Sequence, residues 1–368
     1  MFAFAPFALS GIQFIMSLYS SFDDMLGPCD SNGSNSASGK AKVIFAQDGG
    51  VDDYMGTIIL AEMHKKKKID FLGEIVLNGD SVLPYSMEIT YKFHALLGIA
   101  DIPVLLSKAR MYNAFPYCYR RDTMNLANID TLAEFSCPMP KEPLDGDEWL
   151  REQLQSAGEK SITYVCTASL TNLADVLQSS PELERKIGSI IWMAGAVNVK
   201  GNLDREIYKG WNDKAEWNVF ADPLAASWIF EHTAIEMNMF PLDIADKAPV
   251  DGQFMIEVEQ QTSRECSDPN RAMLNDIVYK AYKDICVSQP YYRLWDTVAV
   301  AFLAMPELYA SPERMQLAVV TTSEQEGWTA VRGSGVESSY WREVKVFMDF
   351  SSDQALEKFI HLVATHTF

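Results

Sequence analysis

The sequence predicts an α/β protein: a mainly parallel central sheet with helices on both faces, and some antiparallel strands in the C-terminal third. Three observations carry this. From Lys42 onward, short apolar or β-branched runs alternate with segments of helical period, the pattern of βαβ units. Polar and acidic residues recur just after those runs, where ligands collect in open α/β sheets. Late in the chain, three strand-like runs follow one another and read as antiparallel neighbours.

The elements follow in order. Residues 2–18 are apolar, with Phe2, Phe4, Phe7, Phe14 and Leu18, and no Lys or Arg precedes Lys40. A secretory signal usually has a basic start, and Pro6 and Gly11 interrupt any spanning helix. Ser31–Gly39 reads as a flexible Ser/Asn/Gly linker. Residues 1–40 are therefore expected to be an extension and 41–368 one domain, since neither an internal repeat nor a clear linker divides it. A cytoplasmic location is expected. A secretory route is the alternative, and it would make Asn32-Gly-Ser34 a glycosylation acceptor.

Val43–Gln47 reads as a buried strand that ends in Asp48, followed by the Gly49-Gly50 turn, Asp52-Asp53 and a helix marked by Met55, Ile58, Ile59 and Met63. Strands are expected at Ile69–Leu77, Pro103–Leu106, Ser161–Thr167, Ile187–Met193 and Ile235–Phe240, with helices at Tyr85–Leu97, Leu170–Gln178 and Pro223–Phe230. Gln316–Thr321, Thr329–Arg332 and Glu343–Met348 are the antiparallel candidates, closed by a helix over Asp353–Ala364.

Composition narrows the function. A net charge of −19 argues against nucleic acid or an anionic membrane surface as partner, because both require basic patches. Six cysteines in 368 residues are too sparse for a disulfide framework. Cys166, in an apolar run, reads as a small core residue. The five histidines show no metal-binding spacing, and His361 and His366 read as solvated or packed.

Asp48, Asp52 and Asp53 crowd the end of the first strand. Singly, Asp52 is accounted for as a helix cap and Asp48 as a turn residue. Together, three carboxylates repel one another unless a cation lies among them, and hard oxygen donors suit Ca²⁺ or Mg²⁺. Two rival motifs fail. An EF-hand loop starting at Asp48 would need Glu where Ile59 stands, and Gly49, Gly50 and Gly56 do not make the G-x-G-x-x-G dinucleotide fingerprint. Further polar groups recur at strand ends: Asn78-Gly-Asp80, Thr167 with Ser169 and Asn172, Asn198 and Asn202, Glu216-Trp217-Asn218, and Trp295-Asp296 at the head of a helix. Together they describe a polar pocket rimmed by aromatics.

In this order the motifs resemble those of the nucleoside hydrolases of the inosine–uridine-preferring superfamily, with the nearest likeness to the branch acting on inosine, adenosine and guanosine. That family opens with D-x-D-x-x-x-D-D; Asp48, Asp52 and Asp53 match its last three acids, and Ala46 stands at the first. The match continues through Asp80, Thr167, Gly195-Ala-Val197, Asn202, Glu216-Trp217-Asn218 and Trp295-Asp296, covering essentially all of 41–368. Ala194-Gly195 replaces the usual Gly-Gly, and the segment between Asn202 and Glu216 is longer than the pattern expects.

The resemblance implies a Rossmann-like nucleoside hydrolase fold and Ca²⁺-dependent cleavage of purine ribonucleosides to base and ribose, usually by a homo-oligomer, here a dimer. It implies that Asp48 is general base and metal ligand, with Asp53, Asp296 and the Thr167 carbonyl completing the metal site. Asp52, Asn202, Glu216, Asn218 and Asp296 would hold the ribose, with Trp217 beside them, and Asp80 would contact the base. The inosine–uridine branch carries a histidine where Trp295 stands. The purine branch instead sandwiches the base between aromatic rings, here Trp295 and Tyr119, with Phe115 or Tyr117 as alternatives in the loop Asn113–Tyr119. A core or interface role is the commoner fate of a tryptophan; the place directly before Asp296 favours the functional one. Two other readings stay open: broad or pyrimidine specificity, and a nucleoside- or ribose-binding protein with weakened catalysis, which the replacement by Ala46 would suit.

Overall fold

A computed structural model describes residues 40–203, 212–264, 266–289 and 292–366. The N-terminal extension and most of the long segment between Asn202 and Glu216 lie outside the described residues. Ten strands form one sheet: β1 (Ala41–Gln47), β2 (Ile69–Val76), β3 (Val104–Leu106), β4 (Leu144–Asp145), β5 (Ile162–Cys166), β6 (Ile187–Met193), β7 (Glu236–Phe240), β8 (Glu313–Val319), β9 (Thr329–Val331) and β10 (Arg342–Val346). Their order is β4-β3-β2-β1-β5-β6-β7-β10-β8-β9. The expected α/β fold with a mostly parallel sheet is the one observed.

Strand β1 lies mid-sheet because its sequence is apolar on both faces. Val43 and Phe45 enter one hydrophobic cluster, with the helix Asp53–Lys65. Ile44 and Ala46 enter the other, with Ile75, Tyr164, Cys166 and Trp192. Each fully buried Val, Ile or Phe contributes about 1.5–3 kcal/mol, so a one-residue slip of β1 would forfeit several such terms and turn the strand end away. Parallel pairing aligns Ala46 with Ile75 on one side and with Cys166 on the other.

The chain moves outward from β1 through β2, β3 and β4, then crosses to β5 on the opposite side of β1. That reversal opens a crevice between the carboxyl ends of β1 and β5, the topological switch point at which such sheets bind ligands. Asp48 follows β1 and Thr167 follows β5.

The C-terminal third holds the expected antiparallel strands. β8 is antiparallel to β10 and to β9, but β10 pairs parallel with β7. Short apolar runs carry no signal of direction; the connections decide it. Asn113–Tyr119, read as a loop, becomes the start of a helix at Tyr117 (Tyr117–Ala127), with Pro116 immediately before it, an arrangement that suits a helix start. A two-residue strand, β4, and the helices Gly146–Ser156, Gly252–Thr262 and Pro269–Lys280 were not expected from the sequence. No described helix is long and apolar enough to cross a membrane.

Candidate active site

At the switch point the chain opens a cleft of about 900 Å³, including its solvent-open mouth. The acid end is built by three segments. After β1, Gly49 takes a positive φ of 88°, a conformation that glycine alone adopts freely. This turn aims its own N–H and that of Gly50 at Asp53 Oδ2, at 3.0 and 2.8 Å. Asp48 lies directly over Gly79: a Cβ there would come within 2.0 Å of Asp48 Oδ2. Asn78-Gly-Asp80 is thus a seat for the Asp48 carboxylate, which also accepts a hydrogen bond from the Asp80 main chain. The third segment brings Asp296 into the first turn of the helix Trp295–Ala301.

These acids converge. A methyl group built on Gly50 would lie 3.4 Å from Asp53 Oδ2, 3.6 Å from Asp296 Oδ2 and 3.8 Å from Asp52 Oδ1. Burial first, and then mutual repulsion, pushes the carboxyls of Asp48, Asp53 and Asp296 well above the ordinary range. Burial raises Asp52 to about 6 and Glu216 to about 7. No Lys, Arg or His is among the described residues lining the cleft, so no cationic side chain in that lining offsets the charge. The donor set is hard oxygen throughout, which suits Ca²⁺. As the side chains stand, no three His, Cys, Asp or Glu among the described residues are gathered into a closed cation site; Asp53 Oδ1 instead accepts from the Thr167 hydroxyl.

The other predicted residues fall around this end. Glu216 caps the helix Trp217–Ala221, accepting from Asn218 N at 2.8 Å and from Gly195 N at 2.9 Å. Asn218 Nδ2 donates to the Thr167 carbonyl at 3.3 Å and to that of Met193 at 3.0 Å. Asn202 Oδ1 accepts from Trp217 N at 3.1 Å. Asp52 lines the cleft, while its two oxygens accept from Tyr292 Oη at 2.9 Å and from Asp296 N at 2.7 Å. It ties the first acid segment to the last. Beneath the site, Gln47 donates to Glu74 at 3.1 Å, and Glu74 pairs with His94 at 2.8 Å, both in the core. This network fixes the strand end from which Asp48 projects.

Ala46 is fully buried in the cluster that holds Ile75 and Cys166, so a carboxylate there would face apolar neighbours rather than the cleft. Cys166 is buried, and it and the other described cysteines are unbridged. His361 is exposed against Glu257 at 3.1 Å, and His366 is buried.

The aromatic end is built from later elements. Trp295 Nε1 donates to Asp246 at 3.1 Å, and its ring packs on Tyr292 with centroids 5.0 Å apart. Phe115 packs on Trp217 at 4.8 Å, and Tyr119 meets the same ring edge-on at 5.9 Å. Both line the cleft; Tyr117, the other candidate, is 66% exposed and does not. Asp80 lies between the two ends, its Oδ1 buried with no hydrogen-bond partner.

Sequence reasoning missed Asp122, Met193, Gln289 and Tyr292, all of which line the cleft. Asp122 was findable, because it lies three residues after Tyr119 and so on the same helical face. Gln289 has no motif of its own.

Comparison with known proteins identifies the family. The profile of the family "Inosine-uridine preferring nucleoside hydrolase" matches residues 43–357. A pyrimidine-specific ribonucleoside hydrolase RihA of Citrobacter koseri is 27% identical over 281 residues, 74% of this chain and 82% of that protein. RihA of Klebsiella pneumoniae (strain 342) is 31% identical over 159 residues, 42% of this chain and about half (46%) of that protein. The crystal structure of an inosine-uridine preferring nucleoside hydrolase from Bacillus anthracis superposes with a TM-score of 0.72 at 26% identity, covering 88% of this chain and 99% of that one. With the family profile spanning nearly the whole described domain, the chain belongs to the inosine-uridine preferring nucleoside hydrolase family.

Proposed function

We propose that this nucleoside hydrolase cleaves the N-glycosidic bond of purine ribonucleosides, giving free base and ribose. The observation that carries the base assignment is Trp295 on the cleft wall beside Asp296, with no histidine among the described lining residues. Cleavage builds positive charge on the ribose in an oxocarbenium-like transition state. The carboxylates around the sugar stabilise that charge, and Glu216, Asn202 and Asn218, which line the cleft, would hold its hydroxyls. Asp48, seated on Gly79, takes the proton of the attacking water. Asp48, Asp53, Asp296 and the Thr167 carbonyl would hold Ca²⁺, which supplies acidification and placement of the water. The departing base has no histidine acid beside it, so stacking on Trp295, with Tyr119 or Phe115 opposite, takes over part of the stabilisation. A purine gives such walls more ring area than a pyrimidine.

A second reading keeps the chemistry and reverses the base preference. It is favoured by the names of the Citrobacter and Klebsiella relatives, both called pyrimidine-specific. Incubation with inosine, adenosine, guanosine, uridine and cytidine, with free ribose as readout, decides between them. Faster release from the purine nucleosides supports our reading, and faster release from uridine overturns it. The homodimer is part of the same proposal, to be checked by light scattering.

A further inference from the structure

We propose that Gln289, locked in orientation by Asp122, sorts leaving bases by their exocyclic group, favouring amino-bearing bases (adenine, cytosine) over oxo-bearing ones (hypoxanthine, uracil). This rests on the nucleoside hydrolase reading above and sharpens it to a substrate class.

Both residues line the cleft that holds Trp295 and Tyr119. Asp122 projects from the helix Tyr117–Ala127, and Gln289 precedes the segment leading to Tyr292 and Trp295. Of the charged groups around Asp80, Asp122 weighs on it most, whereas the acids that weigh on Asp48 are Asp80, Glu216 and Asp52. Asp80, Asp122 and Gln289 thus line one cleft together.

The orientation of the Gln289 amide is determined by its partners. Nε2 donates to Asp122 Oδ2 at 2.6 Å and to the Ile285 carbonyl at 3.5 Å. A main-chain carbonyl can only accept, so the NH₂ end must face Ile285. Asp122 accepts on both oxygens, the second from Asn125 Nδ2 at 3.3 Å. With both N–H bonds so directed, the polar atom Gln289 has left for a ligand is Oε1, an acceptor. Gln289 discriminates: an exocyclic amino group donates to Oε1, while an exocyclic oxo group sets lone pair against lone pair.

An unmatched polar contact at such a site typically costs about 10- to 100-fold. The wild-type enzyme should therefore cleave adenosine with a kcat/KM about 10- to 100-fold above that for inosine, and cytidine above uridine in the same sense. Gln289→Met keeps the length and removes the acceptor, so it should bring the adenosine/inosine ratio near one, mainly by losing adenosine. Asp122→Asn, which frees the amide to turn over, should lower the ratio less. Wild-type cleavage of inosine as fast as adenosine would overturn the proposal, as would an unchanged ratio in Gln289→Met. Free adenine and hypoxanthine, titrated into the wild-type protein by calorimetry, test the same preference without turnover or mutation: tighter adenine supports it, equal affinity sinks it. If no nucleoside releases ribose, the hydrolase reading fails by itself, and the free-base titration still judges the Gln289 assignment.

Discussion

The two ends of the cleft are built by different means. At the acid end, Asp48, Asp53 and Asp296 leave strand ends and helix starts; main-chain N–H groups hold Asp53, and Gly79 with the Asp80 main chain seats Asp48. At the aromatic end, Phe115, Tyr119, Tyr292 and Trp295 come from connections and first helical turns; Phe115 and Tyr119 pack on Trp217, and Tyr292 packs on Trp295. The first end depends on the sheet and cannot move without it. The second can be rebuilt by exchanging a few side chains. Chemistry common to a family belongs in the first setting, and base preference in the second, which explains how relatives with different printed specificities share one fold.

If that division holds, the largest losses come from the acid end. Thorough chelation should abolish ribose release, and Ca²⁺ should restore it; full turnover in protein shown to be metal-free by elemental analysis would break the division at its root. Stability gives an independent check. Glu216 ordinarily titrates near 4.5 and is raised to about 7 by burial. Its contribution is present below 4.5 and lost as pH rises through 7. Asp52, raised to about 6, acts in the same direction. His366, lowered to about 3 by burial, opposes them, losing stability as pH falls below its ordinary 6.5. With the acids in the majority, the metal-stripped protein should melt at a higher temperature at pH 5 than at pH 8. Ca²⁺ should recover most of the difference at pH 8, because a cation replaces the missing protons.

Asp48→Asn comes next. The amide keeps the volume over Gly79 but cannot take the water's proton, and general-base catalysis is worth about 10²–10⁴-fold. Turnover should fall by that order while nucleoside still binds. A mutant with near-normal turnover would reduce Asp48 to a turn residue.

A smaller loss is expected from Trp295→Ala. One base–aromatic stack is worth about 1–3 kcal/mol, roughly ten- to a hundred-fold. If the ring also helps the base depart, the loss appears at saturating substrate. Inosine should then suffer more than p-nitrophenyl riboside, whose leaving group needs no protonation. Equal losses on the two substrates would mean that Trp295 supports Asp296 and belongs to the acid end.

How far the sequence could be read follows the same division. Strands β1, β5, β6 and β7 were legible because a short apolar run between helical segments matches a parallel strand covered on both faces, and the acids were legible because each ends such a run or opens a helix. The parallel pairing of β10 with β7 was not legible, because pairing is set by connections far from the strand itself. Asp122, Gln289 and Tyr292 were missed because they reach the cleft from a helix face and a connecting segment, where ordinary surface residues have the same composition. The loop at Tyr119 was misread for a related reason: Pro116 fits a turn as well as a helix start, and tertiary packing on Trp217 chose between them.

The smallest effect expected separates the two rings proposed to face Trp295. Phe115 is buried and tilted by 30° to the Trp217 ring, whereas Tyr119 is partly exposed and meets that ring edge-on at 76°. An edge-on aromatic pair is worth about 0.5–1.5 kcal/mol, so Tyr119→Leu should raise KM for inosine roughly two- to ten-fold. Turnover should change little, since Trp217 and Phe115 still close that wall. Phe115→Leu removes a ring on which Trp217 rests, and Trp217 N in turn is held by Asn202, proposed to hold the ribose. It should therefore lower kcat as well as raise KM. Steady-state kinetics on the two variants give the comparison directly. If Tyr119→Leu loses turnover and Phe115→Leu loses only affinity, the stacking role belongs to Tyr119, and the border between the two ends of the cleft runs on the other side of Trp217.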